Sequence, residues 1–190
     1  YGCVIRQFHL MVKPLFLFSG KYLQSEFKWG KAIPLTLNDA YDFMPVWSPD
    51  GKSIAFASNR YGNFDVFVMP SEGGKEHRLT YYSGNEFPTS ITPDNQYVLF
   101  TSLIMDDSKS VQFPDNRFTE LYKVPVTAGR VEQVLTTPAE YAKYNKSKNT
   151  LLYQDYKGYE DYWRKHHTSG VTRDIWMLKD GKTFQKLSTV

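Results

Sequence analysis

A unit of fixed order recurs along this chain: a polar turn, a short apolar run, an acid, an aromatic-rich run, a glycine turn and a closing Leu-Thr or Leu-Ser. "PVWSPDGKSIAFASNRYGNFDVFVMPSEGGKEHRLT" runs from Pro45 to Thr80. "PTSITPDNQYVLFTS" restarts it at Pro88, and "ELYKVPVTAGRVEQVLT" closes it at Thr136. "AKYNKSKNTLLYQD" restarts it at Ala142, and "DIWMLKDGKTFQKLS" closes it at Ser188. Ser48, Thr92 and Asn145 hold equivalent places, 44 and 53 residues apart.

A period of about 40–50 residues holding several short strands is the signature of propeller blades. In "SPDG", Pro49 presets φ, Asp50 caps the turn and Gly51 takes positive φ. "TPDN" repeats the hairpin with Asn95 in the glycine place, and "NKSKN" keeps only its polarity. "SIAFAS", "YVLFTS" and "TLLYQD" read as second strands buried on both faces. "DVFVMP", "ELYKVP" and "DIWMLK" read as third strands, opened by Asp65, Glu120 and Asp174. "EHRLT", "EQVLT" and "FQKLS" read as fourth strands. An unrelated run of hairpins in a sandwich is the competing reading, and the fixed order of parts argues against it. The expected fold is therefore all-β, with propeller blades of four antiparallel strands: about three intact blades plus a damaged first blade, an incomplete ring. The expected divisions are residues 1–36 (damaged blade, in frame from about residue 30), 37–80, 81–136 and 137–190, the last with an enlarged loop at 156–173.

Composition agrees where it bears on the matter. The 14 Tyr, 13 Phe and 4 Trp, with Gly and Pro throughout, favour a β protein with many turns. The formal charge of +3 hints at an acidic partner. It resides in the first thirty residues, where Arg6, Lys13, Lys21 and Lys28 face only Glu26; removing them from totals of 23 and 20 leaves 19 of each sign. A neutral remainder gives no electrostatic case for nucleic acid. One cysteine, Cys3, makes no internal disulfide and builds no zinc site. The apolar run "FHLMVKPLFLF" is broken by Lys13 and Pro14 and is too short to span a bilayer, so no membrane role is expected. With no initiator Met and no clear signal peptide, the chain reads as a piece of something longer.

Residues 1–29 lack the repeat although "GKAIPLT", residues 30–36, is a good blade end. Codon choices exist by which Val4 to Leu15, read from each third base, give Y-P-A-I-S-P-D-G-K-T-I. Ser19 to Gly30, read from each second base, can give Q-G-N-I-Y-K-V-N-L-N-G, running into Gly30-Lys31. Both restore the repeat in the expected order. The expectation is a blade misread through two frame shifts; a divergent strand pair is the alternative.

"YEDYWRKHH", residues 159–167, is the densest cluster of reactive side chains. Adjacent His166 and His167 point to opposite sides of an extended segment and cannot easily share an ion, and Glu160 and Asp161 face the same objection. A histidine base needs a nucleophile, and no "GxSxG" or Ser or Cys in a recognisable setting is present. No catalytic, cofactor-binding or metal residues are therefore expected, and no cofactor. The segment reads as a decorated loop. Tyr159, Tyr162 and Trp163 would pack it onto the blade, and Arg164 or Arg173 would pair with Glu160, Asp161 or Asp174.

Residues 38–80 and "GYEDYWRKHHTSGVTRDIWML", residues 158–178, resemble the propeller repeat of tricorn-type serine proteases, a repeat shared with TolB. The resemblance covers about residues 30–190. It implies a large parent that cleaves peptides, with its catalytic groups in domains absent from this sequence. This segment would then be non-catalytic, guiding peptide access or supporting assembly. Peptide substrates or protein partners, and a homo-oligomeric parent, are implied with it. A TolB-like periplasmic protein-binding propeller and the propeller of a prolyl-oligopeptidase-type enzyme are the alternatives. The tricorn resemblance implies the cytoplasm; a signal peptide lost upstream would imply the periplasm. Three blades cannot close a ring, so the isolated chain is expected to be marginal, oligomeric or prone to aggregate.

Overall fold

The computed structural model describes residues 15–18, 21–24, 33–103, 118–156 and 173–188. Every regular element among them is a strand. A first sheet has three strands, β1 (Leu15–Phe18), β2 (Lys21–Gln24) and β3 (Ile33–Pro34), in that order. Three four-stranded sheets follow. Blade one is β4 (Asp42–Trp47), β5 (Ser53–Ser58), β6 (Asp65–Pro70) and β7 (His77–Arg78). Blade two is β8 (Phe87–Ile91), β9 (Tyr97–Ser102), β10 (Glu120–Pro125) and β11 (Glu132–Leu135). Blade three is β12 (Ala139–Tyr144), β13 (Thr150–Asp155), β14 (Ile175–Lys179) and β15 (Thr183–Lys186). Each blade is an antiparallel meander with neighbours in chain order, and the ring is not closed.

The first hairpin of each blade has one geometry. The amide of Ser48 donates to the Ser53 carbonyl at 2.8 Å and that of Gly51 to Ser48 at 2.9 Å; Thr92/Tyr97 with Asn95/Thr92, and Asn145/Thr150 with Lys148/Asn145, repeat the pattern. The fourth residue of the turn sits at φ 71° in Gly51, 60° in Asn95 and 57° in Lys148. The weak "NKSKN" signal thus hides the same turn, with a lysine in the left-handed region at a cost of about 1 kcal/mol. Neighbouring hairpins also hold one another. Asn95 Oδ1 accepts the Asp50 amide at 3.2 Å, and Lys148 Nζ reaches Asp94 Oδ2. Burial opposes ionisation of Asp94, but Lys148, Thr92 and the Gln96 amide together hold it down at about 2.

The first strands β4, β8 and β12 touch one another across the blade joints, which places them at the inner edge of the arc. Each carries a register shift against its second strand: Phe43/Val46, Pro88/Ser90 and Glu140/Lys143. Met44 and Tyr141 sit in these bulges at φ 52° and 51°. A bulge bends and twists a strand, as convergence on a common axis requires.

The core lies in the joints between sheets. Ile54, Phe56, Phe67 and Met69, with Leu35 and Trp47, face back towards the first sheet. Val46, Ala55, Val66, Val68 and Leu79 of blade one meet Ile91, Val98, Phe100, Tyr122 and Val124 of blade two. Leu99, Leu121 and Leu135 of blade two meet Ala139, Ala142, Leu151, Tyr153 and Leu178 of blade three. The second strands of blades one and two are buried on both faces, as predicted. In blade three that expectation fails: Leu152 is 44% exposed, with Ile175 at 52% and Leu187 at 44%. Their equivalents Ala55 and Leu99, Val66 and Leu121, and Leu79 and Leu135 are all 5% exposed or less. The repeat makes these positions apolar in all three blades, but no described sheet stacks on this face of blade three.

Candidate functional site

In a meander the turns alternate between ends. One end of the arc carries the hairpins and the glycine turns. The other carries the second-to-third-strand loops and the linkers between blades, and the polar clusters gather there.

The acid that opens each third strand is held from the fourth strand. Arg78 Nη2 donates to Asp65 Oδ1 at 2.8 Å, Gln133 Nε2 donates to Glu120, and Lys186 Nζ lies 3.0 Å from Asp174. The closing Thr or Ser caps the same strand. Thr80 Oγ1 accepts the Val66 amide at 2.9 Å, and Ser188 Oγ accepts the Ile175 amide at 3.2 Å while donating to Asp174 at 2.6 Å. In blades one and three the closing Thr or Ser thus caps the strand that the acid opens, and in blade three it also bonds the acid itself.

At the joint between blades one and two the cluster is richer. Asn63 Nδ2 donates to the Tyr82 and Gly84 carbonyls at 2.8 and 2.6 Å and to Asp65 Oδ1 at 3.3 Å. Phe64 and Asn85 bond through the Phe64 amide, and the Glu86 amide donates to Phe64 O at 2.7 Å. Ser102 Oγ donates to Asn85 O at 3.0 Å, so the linker is tied to both blades. Glu86 is fully buried, and both its carboxyl oxygens and Asp65 Oδ2 lack hydrogen-bond partners. Burial pushes Glu86 up to about 7, with Asp65 adding to the rise and Arg78 and Thr80 opposing it. Burial also raises Asp65, against the pull of Arg78 and Asn63.

Aromatic rings cover this region. Phe43, Phe64 and Phe87 meet edge-on or tilted with centroids 4.7–5.8 Å apart, spanning the two blades. The Arg78 guanidinium lies between Tyr61 and Tyr81, 4.6 and 4.5 Å from their centroids, and Arg60 lies over Phe67 at 4.4 Å. Planar cations stacked on rings order exposed side chains and hold them against the blade.

In blade three, Asp155 accepts the Asp174 amide at 2.7 Å and the Trp176 indole N–H at 2.8 Å. Beside it opens a cavity of about 380 Å³ lined by Pro138, Tyr153, Asp155, Tyr156, Trp176 and Phe184, among others. The "YEDYWRKHH" segment, including His166, His167, Trp163 and Arg164, lies outside the described residues. Arg173 is described, whereas Glu160, Asp161 and Arg164 are not. It donates to Glu140 of β12 at 2.7 Å and stacks 4.5 Å from the Tyr156 centroid, while Lys186 and Ser188 bond Asp174.

His77 is the one histidine among the described residues, and it is exposed on β7. Among the described residues no group of three or more His, Cys, Asp or Glu could hold a metal ion, and no helix is long and apolar enough to cross a membrane.

A tricorn protease homolog of Saccharolobus solfataricus is 26% identical over 169 residues, which cover 82% of this chain and 14% of that protein. The crystal structure of the tricorn protease superposes on 93% of this chain and 17% of its own at a TM-score of 0.69 and 19% identity. A putative TolB from Agrobacterium tumefaciens superposes on 88% of this chain and 60% of its own at a TM-score of 0.57 and 23% identity. The chain spans only 12–26% of the length of the curated relatives it matches. The model of the tricorn protease N-terminal β-propeller domain matches residues 15–189, and this chain belongs to that family.

Proposed function

We propose that this chain is a non-catalytic arc of the propeller of a large tricorn-type serine peptidase, guiding peptides towards the catalytic domains or supporting assembly. The observation that carries the reading is the open face of blade three. Leu152, Ile175 and Leu187 stand exposed where the first two blades are covered by the next, as expected of an arc taken from a larger ring. The polar clusters at the loop end favour a scaffold, since their charged groups are spent on clamping strands and linkers. On this reading the blades divide near residues 36, 80 and 136, and the first 36 residues are the remains of a blade altered by frame shifts. Resequencing the locus tests that division.

The functional test compares three proteins on fluorogenic peptides: this chain, the product of the full gene, and that product lacking residues 37–188. The chain alone should cleave nothing, and the full product should cleave. Deletion of the arc should alter the preference between short and long peptides or the assembly state. Cleavage by the chain itself, or a full gene product without peptidase activity, would sink the reading. The second outcome would favour a TolB-like protein-binding propeller, the reading that the Agrobacterium structure supports at the level of fold.

A further inference from the structure

We propose that Glu86 is a proton-operated latch between blades one and two: as the neutral acid it lets the joint close over it, and its ionisation loosens the joint. Three observations meet at this residue. It lies in the linker before β8, with its amide bonded to Phe64 O at 2.7 Å, so it moves only if the linker leaves blade one. Its side chain is wholly buried and neither oxygen has a hydrogen bond of good geometry, the Thr80 hydroxyl being the one neutral donor beside it. The charged groups facing it among the described residues are Asp65 of β6 and Arg78 of β7.

The charges then decide its state. Arg78 is committed to Asp65 at 2.8 Å, and its Nε donates to Thr80 O at 2.8 Å. One guanidinium balances one carboxylate, so an ionised Glu86 would be a second, uncompensated buried charge, which is costly. A proton on Glu86 removes that charge. It also supplies a donor where three buried oxygens, both of Glu86 and Oδ2 of Asp65, otherwise only accept. The corresponding position at the start of blade one is Asp42, which is buried too, but there Arg60 approaches to 3.4 Å. The two joints therefore use the same place differently, one as an ion pair and one as a neutral acid.

The sign follows from linkage. Burial holds Glu86 at about 7, above its ordinary 4.5. Its contribution to the closed joint is complete below about 4.5 and is lost as pH rises to about 7, because the open form gives up the proton first. Asp65, also raised by burial, acts in the same direction.

The test is hydrogen exchange on the whole 190-residue chain from pH 5 to 8.5, read as protection factors at the Phe64, Val66 and Glu86 amides. In the wild type, protection at this joint should fall on the order of 100-fold across that range. In Glu86→Gln it should be nearly flat and higher at pH 8. Asp65→Asn serves as the control for the neighbouring carboxyl. Infrared spectra of the unmodified chain give a second readout that needs no stable variant. A neutral-carboxyl band should persist at pH 6 and disappear towards pH 8. Parallel profiles in wild type and Glu86→Gln, a profile abolished by Asp65→Asn alone, or no neutral-carboxyl band at pH 6 would overturn the proposal.

Discussion

The same three positions have opposite surroundings in the middle and at the end of this arc. Leu99, Leu121 and Leu135 of blade two are buried under blade three, while Leu152, Ile175 and Leu187 of blade three are open. The strands are alike in pattern and hydrogen bonding, so the difference lies in packing. A blade is half of two joints, and its apolar face stabilises the fold only once another sheet removes it from water.

Substitutions at matched positions test whether packing is the whole difference. The largest effect is expected at the clamps. Arg78→Ala leaves Asp65 buried without its cation and should cost about 3–5 kcal/mol in urea unfolding. Lys186→Ala, at the matching clamp in blade three, should cost about 1 kcal/mol, because Lys186 is partly exposed and Ser188 still bonds Asp174. Equal losses would show that the two ends are not different in kind.

The apolar faces come next. Leu99→Ala should cost about 2–5 kcal/mol, through lost burial and the cavity left behind. Leu152→Ala should cost less than about 1 kcal/mol in dilute solution. Replacing Leu152 and Ile175 together by lysine should leave the melting curve nearly unchanged while reducing self-association in sedimentation velocity. Unchanged association would place the sticky surface elsewhere.

Smaller effects belong to the hairpin end. Asp94 is held at about 2, below its ordinary 3.8, so its contribution is present above about pH 4 and fades as pH falls towards 2. The pair with Lys148 is largely exposed, so the loss should stay within about 1 kcal/mol, seen as a shallow acid limb that Lys148→Ala flattens. Smallest of all, Lys148→Gly relieves the positive φ but gives up that pair, for a net change within about 1 kcal/mol of zero.

The strand order and hairpins were legible because each rests on local chemistry. "SPDG" and "TPDN" specify a turn within four residues, and alternating apolar runs specify strands. Even "NKSKN" forms the expected turn, because neighbouring strands impose the geometry that its residues alone do not favour. The clamps were half legible: Asp65, Glu120 and Asp174 stood out by recurrence. Their partners Arg78, Gln133 and Lys186 did not, since a fourth strand contributes different residues each time and the pairing depends on register. Arg173 shows the same limit: it pairs with Glu140 on a strand more than thirty residues away.

The repeat, the number of strands in each intact blade and the apolar character of both blade faces follow from period, turn chemistry and side-chain type, all of them local properties of the chain. Which apolar face is covered, which acid is paired and which is left as a buried, raised carboxyl depend on how the blades pack. Stacking sets burial and desolvation, and these depend on what lies across the joint rather than on the residue itself.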